Sequence, residues 1–127
     1  ELTQTMNATL YEKIGGKEVV KRTSHHLYVN ILKNDLLSPF FKDIDVNIQE
    51  RKMNAFLAYV FGGNSLYAGK TMRRAHQDAV AAGLNDVHLD AMMKCVEQSL
   101  HESEVEQDLI DQVMPVIEKH RKDILNR

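Results

Sequence analysis

Six histidines and one cysteine hold most of the side-chain chemistry that this 127-residue sequence could offer. The histidines are His25, His26, His76, His88, His101 and His120. No two of them stand four residues apart, so no single helix face presents a two-ligand metal site. Cys95 is alone, which excludes an intrachain disulfide and a four-cysteine zinc site and suits a reducing compartment. A catalytic thiol would need an activating base, and nothing near it in sequence supplies one, so Cys95 reads as a small apolar core residue. Gly62-Gly63 followed by Asn64 and Ser65 lacks the spacing and the Lys-Ser/Thr ending of a phosphate loop. There is no paired-histidine metalloprotease helix and no CxxCH attachment site.

His76 differs from the other histidines in its surroundings. It closes the run from Tyr67 through Met72, Arg73, Arg74 and Ala75, just after a glycine-containing loop. A neutral imidazole on such a short helix can take one axial position of a planar iron cofactor. Tyr28, Gln49, Lys52 and Met53 fall on two other helices. As a set they would serve a tetrahedral metal poorly, but they could surround a diatomic molecule.

These groups need elements to hold them. At 43% hydrophobic and 27% charged residues, the chain is long enough for one domain with a real core. Sixteen Lys and Arg against eighteen Asp and Glu leave a formal charge of −2, which argues against nucleic acid as a partner. No apolar run approaches the ~20 residues a membrane helix needs. Glu1 to Ala8 is polar and carries no apolar signal core; it reads as a short extension ahead of a domain over 9–127, and the expected location is cytoplasmic.

Few turn dipeptides and long apolar periodicities predict an all-α chain of four substantial helices with shorter pieces. A short segment from Thr9 to Ile14 stops at Gly15-Gly16. A helix over Lys17 to Lys33 places Val20, Leu27 and Ile31 on one face with Ser24 and Tyr28 beside them. Leu36 to Phe41, containing Pro39, reads as one buried turn. Asn47 with Glu50 is a capping-box start for a helix to about Phe61. Asp86 caps a helix whose inner face is Leu89, Met92 or Met93, Val96 and Leu100. Ser103 with Glu106 starts the last helix, where Pro115 predicts a bend or break.

The sequence resembles the truncated haemoglobins, most closely their group I. The residues that carry the likeness are Leu10-Tyr11-Glu12-Lys13-Ile14-Gly15-Gly16, Leu27-Tyr28-Val29 and Leu37-Ser38-Pro39-Phe40-Phe41. They continue with Phe61-Gly62-Gly63, Tyr67, Gly69 and the run Met72 to His76. Each piece is weak alone. The two glycine pairs, the Phe-Phe corner and the single histidine in the right order make the combination specific.

The resemblance implies a two-over-two helical sandwich around a non-covalent haem b. It makes His76 the proximal iron ligand and sets Phe41 and Phe56 against the haem. Tyr67, Met72 and Arg74 become contacts for the haem edge or propionates, with a solvated charge as the alternative for Arg74. On the distal side, Tyr28 matches the tyrosine that donates to bound oxygen. A phenol O–H favours dioxygen, with its partial negative charge, over carbon monoxide. Gln49 supplies a second donor or orients the tyrosine; otherwise it is an exposed amide near a helix start. Met53 stands where group I members often have a second glutamine, which makes this pocket drier. Some members ligate iron with a His or Lys at the position of Lys52. A lysine does this only as a neutral amine, so the plainer reading lays its stem over the haem edge with the ammonium in water. Met92, Met93, Val96, Val113 and Ile117 are expected as core and pocket wall, bulky enough to narrow a gas tunnel between the helices.

The implied function is reversible binding of dioxygen, and of nitric oxide and carbon monoxide, in carriage, storage or sensing by a monomer. The enzyme alternative is nitric oxide dioxygenation to nitrate, with a reductase as partner. A haem-free helical interaction domain is the rival from another class.

Overall fold

The computed structural model describes residues 8–62 and 69–127. Among them every regular element is helical. In chain order these are α1 (Leu10–Ile14), α2 (Gly16–Lys33), a 3-10 turn (Ser38–Phe41), α3 (Val46–Val60), α4 (Gly69–Ala81), α5 (Asp86–Glu102), α6 (Gln107–Glu118) and α7 (Arg121–Ile124).

Local chemistry sets the corners. Thr9 and Glu12 exchange hydrogen bonds as a capping box that starts α1. Gly15 then turns the chain at φ 124°, and a Cβ there would collide with Cγ2 of Val19. Only glycine fits that corner, which fixes where α2 begins. After α2, the Asn34 side chain accepts from the amides of Leu36 and Leu37 at 2.9 and 3.1 Å. That turn buries Leu37 completely while Leu36 faces solvent, so only part of the expected buried turn is inside.

Three helix starts differ from expectation. The cap of α3 is Asp45, whose carboxylate accepts from the Asn47 and Ile48 amides, so Asn47 lies inside the helix. The cap of α5 is Asn85, with His88 closing its capping box, and Asp86 is the first helical residue. Ser103 ends α5 instead of starting α6, and Glu106 precedes α6 without a side-chain bond to it. Pro115 does not break its helix: α6 continues to Glu118, and the interruption comes at Lys119 and His120. Proline removes one amide donor, and both Pro115 and Asp111 one turn earlier are exposed, so water can satisfy the freed carbonyl. The described chain therefore holds five helices of 12 to 18 residues, one more than the four expected.

The helices form two pairs, α2 with α3 and α5 with α6, and the most extensive contact joins the pairs through α2 and α5. Leu27 and Ile31 of α2, Leu57 of α3, Leu100 of α5, and Ile110 and Val113 of α6 are fully buried at this junction. The 3.6-residue period puts each set on one helix stripe, and their burial is the main force holding the pairs together. No described helix is long and apolar enough to cross a membrane.

Candidate functional site

Between these helices lies a cavity of about 320 Å³, walled mostly by apolar side chains. From α2 it receives Tyr28, which is 3% exposed. From α3 come Gln49, Lys52, Met53 and Phe56, with the adjacent Lys52 and Met53 each three or four residues from Gln49 and Phe56 and so on one broad stripe. Phe41 enters from the 3-10 turn, and Met72 and His76 from α4. Met92, Met93, Val96 and Ile117 close the apolar wall, while Val113 sits in the core away from it.

One other expected residue stands elsewhere. Arg74 is exposed and does not line the cavity. Tyr67 lies outside the described residues. Lys52 reaches the cavity wall but remains exposed, unlike the half-buried Gln49 and Met53 beside it.

The hydrogen-bond partner of His76 determines its chemistry. Nδ1 of His76 lies 2.8 Å from the carbonyl oxygen of Met72, one turn earlier. A carbonyl can only accept, so Nδ1 carries the proton and Nε2 keeps its lone pair. A backbone carbonyl that fixes the tautomer in this way is the usual second partner of a metal-ligating imidazole. Among the described residues no three of His, Cys, Asp and Glu come together as a metal site. A metal beside His76 would therefore need donors of its own, as a macrocycle has. The apolar wall suits such a flat, largely hydrocarbon ring.

His88 also lines the cavity, and sequence reasoning passed over it. Its Nδ1 accepts from the Asn85 amide at 3.0 Å, so its proton is on Nε2. The two cavity histidines thus hold opposite tautomers: His76 offers a lone pair at Nε2 and His88 offers a donor there. The Asn85-x-x-His88 spacing at a helix start was the available signal, as a capping box with His in the third position. The ring of His88 lies edge-on to Phe40, with centroids 5.0 Å apart.

At the cavity edge Arg121 is held by Asp86, Asp90 and Glu118. The hydrogen bonds from Arg127 and Arg121 hold the Asp86 carboxyl below its usual range. Those to Glu118, Asp86 and Asp90 raise Arg121, which stays a cation. Burial pushes the Cys95 thiol up, so it stays protonated, in keeping with an inert core residue.

The bacterial-like globin family model matches residues 9–126. The group 1 truncated haemoglobin of Synechocystis sp. is 39% identical, covering 94% of this chain and 99% of its own. That of Tetrahymena pyriformis is 33% identical, covering 94% and 96%. The crystal structure of the 2/2 haemoglobin from Synechococcus sp. PCC 7002, in the cyanomet state with covalently attached haem, aligns with a TM-score of 0.88 at 41% identity. It covers 94% of this chain and 100% of that one. The Fe(III) form of the Tetrahymena pyriformis protein aligns at 0.84 and 33% identity, covering 93% and 98%.

Proposed function

Because the chain belongs to the bacterial-like globin family and within it to the group 1 truncated haemoglobins, we propose that it is a haem b protein that binds dioxygen reversibly through His76, Tyr28 and Gln49. The single observation that carries the residue assignment is the hydrogen bond between Nδ1 of His76 and the Met72 carbonyl, which leaves Nε2 of this cavity-lining residue as the nitrogen able to bind a metal. Haem, when bound, would supply an iron centre able to bind dioxygen, nitric oxide or carbon monoxide.

The protein supplies the rest. His76 holds the proximal position and its ring is kept in orientation by the Met72 carbonyl. Phe41, Phe56 and Met72 exclude water from the ring faces. The Tyr28 hydroxyl, at the cavity wall, would donate to the partial negative charge that dioxygen develops and carbon monoxide does not. Gln49 adds a second donor from α3, while Met53 beside it keeps that corner dry. The exposed position of Lys52 supports the reading in which its stem covers the cavity edge and its ammonium stays in water. Arg74, exposed and away from the wall, is read as a solvated charge, and Tyr67 keeps its assignment from the resemblance alone.

The protein acts as a cytoplasmic monomer in oxygen carriage, storage or sensing. Absorption spectra of the ferric, ferrous and oxygenated forms test the reading. The expected result is a haem protein that oxygenates reversibly and, as His76→Ala, loses its haem or its ferrous spectrum. A purified protein that takes up no haem overturns it. Adding nitric oxide to the oxygenated protein with a reductant separates the roles. One stoichiometric oxidation fits carriage or sensing, and sustained turnover through a reductase would make it a nitric oxide dioxygenase.

A further inference from the structure

The helix that carries His76 has one principal packing partner among the described elements, the short α7. The contact is polar as well as steric. Nε of Arg73 donates to the Asp123 carboxylate at 3.1 Å, and Nη2 donates to the carbonyl of Arg127 at 2.6 Å. In return, Nδ2 of Asn126 donates to the carbonyl of Arg73 at 3.0 Å. That carbonyl is next along the chain from the Met72 carbonyl, which takes the proton of His76 Nδ1. Asn126 sits at φ 58°, a left-handed conformation that asparagine tolerates better than most residues.

The far side of α7 is fastened independently. Arg121 holds Asp86 and Asp90 of α5 at 3.0 and 2.8 Å, and Arg127 grips both oxygens of Asp86 at 2.7 and 3.1 Å. A continuous line of bonds therefore runs from α5 through the 121–127 segment to the turn of α4 that orients the imidazole.

We infer that Arg73, Asp123 and Asn126 are positioning residues for the proximal histidine, and that α7 with the residues after it is the strut that sets the approach of His76 to the iron. The inference rests on the assignment of His76 as ligand. Its physical basis is a difference in sensitivity. The side chains of Arg73 and Asp123 are 42% and 34% exposed, so their ion pair contributes little to overall stability. Ligand geometry is far less forgiving, because a helix with one main partner tilts when that partner lets go.

The experiment uses the whole holoprotein in a Lys52→Ala background, so that its outcome does not depend on the placement of Lys52. The variants are Asp123→Asn, which cuts the ion pair, and Asn126→Gly, which keeps the left-handed backbone and removes the amide. The iron–histidine stretching band of the ferrous form and the rate of haem transfer to apomyoglobin are measured beside the thermal midpoint. Both variants are expected to move the band and to speed haem transfer by about two- to fivefold, with the midpoint nearly unchanged. Asp123→Glu is expected to restore the band. An unmoved band and transfer rate in both variants overturn the inference. His76→Ala is run in parallel: a full complement of haem with an unaltered ferrous spectrum would overturn the ligand assignment itself, which distinguishes the two failures.

Discussion

The rings of Tyr28 and Phe41 meet edge to face, with centroids 5.8 Å apart and planes at 73°. One ring comes from α2 and the other from the turn after it, and both line the cavity. The contact restrains the plane of the buried tyrosine ring before any ligand arrives. Such preorganisation matters because a donor that must first reorient gives back part of what it gains.

Tyr28→Phe keeps that ring contact and deletes the donor. A hydrogen bond to a charged acceptor contributes about 1.5–3 kcal/mol, so dioxygen dissociation should accelerate by about ten- to a hundredfold. Carbon monoxide dissociation should change far less. Stopped-flow displacement measures both, and equal rates for dioxygen in the two proteins would remove Tyr28 from its assigned role.

Lys52 is settled by comparing ferric spectra of the protein and its Lys52→Ala variant from neutral to alkaline pH. With the ammonium in water the two series should superimpose. A low-spin form present only with the lysine would instead make its amine an iron ligand, which requires the side chain to leave its exposed position and shed a proton.

The sequence made some of this legible and hid the rest for physical reasons. Helical periodicity was readable because Val20, Leu27, Ile31, Val96 and Leu100 are buried on regular stripes. His76 stood out in the sequence because the residues around it matched a known pattern in order. Caps were less readable, since Asp45 and Asn47 are both good cap types and only the backbone at Asp45, extended at φ −85° and ψ 109°, decides between them. Ser103-x-x-Glu106 satisfied the capping-box pattern while Ser103 was spent closing the preceding helix. The place of His88 at the cavity was not readable because its ring bond is local and its contact with the cavity depends on how α5 sits against the 3-10 turn. The strut through Arg73, Asp123 and Asn126 joins residues about fifty positions apart, beyond the reach of any helical period.

Gly15 offers a test of the fold alone. At φ 124° an alanine would be strained, and its Cβ would collide with the Val19 side chain. The loss should be about 2 kcal/mol or more, since conformational strain and overpacking act together. Thermal denaturation of Gly15→Ala should show the midpoint lower by several degrees. A midpoint within one degree of the parent would mean that the α1–α2 corner relaxes freely.

His120 predicts an acid-side weakness. Its ring lies edge-on to Phe56, 5.4 Å away, and also meets Tyr59 at 6.2 Å. Burial lowers its pKa from the ordinary 6.5, outweighing the opposing pull of Asp123, while Lys119 pushes the same way as burial. The folded state therefore prefers the neutral ring, and the unfolded chain binds the proton more readily. Above about pH 6.5 the ring is neutral in both states and adds no slope. As pH falls through that value the unfolded state takes up the proton first, so stability drops until the folded ring is protonated as well. His120→Phe preserves an aromatic ring against Phe56 and cannot titrate, so its stability should decline less steeply on acidification below that pH. Urea denaturation at a series of pH values measures the difference. Parallel curves for the two proteins would show that His120 does not contribute to it.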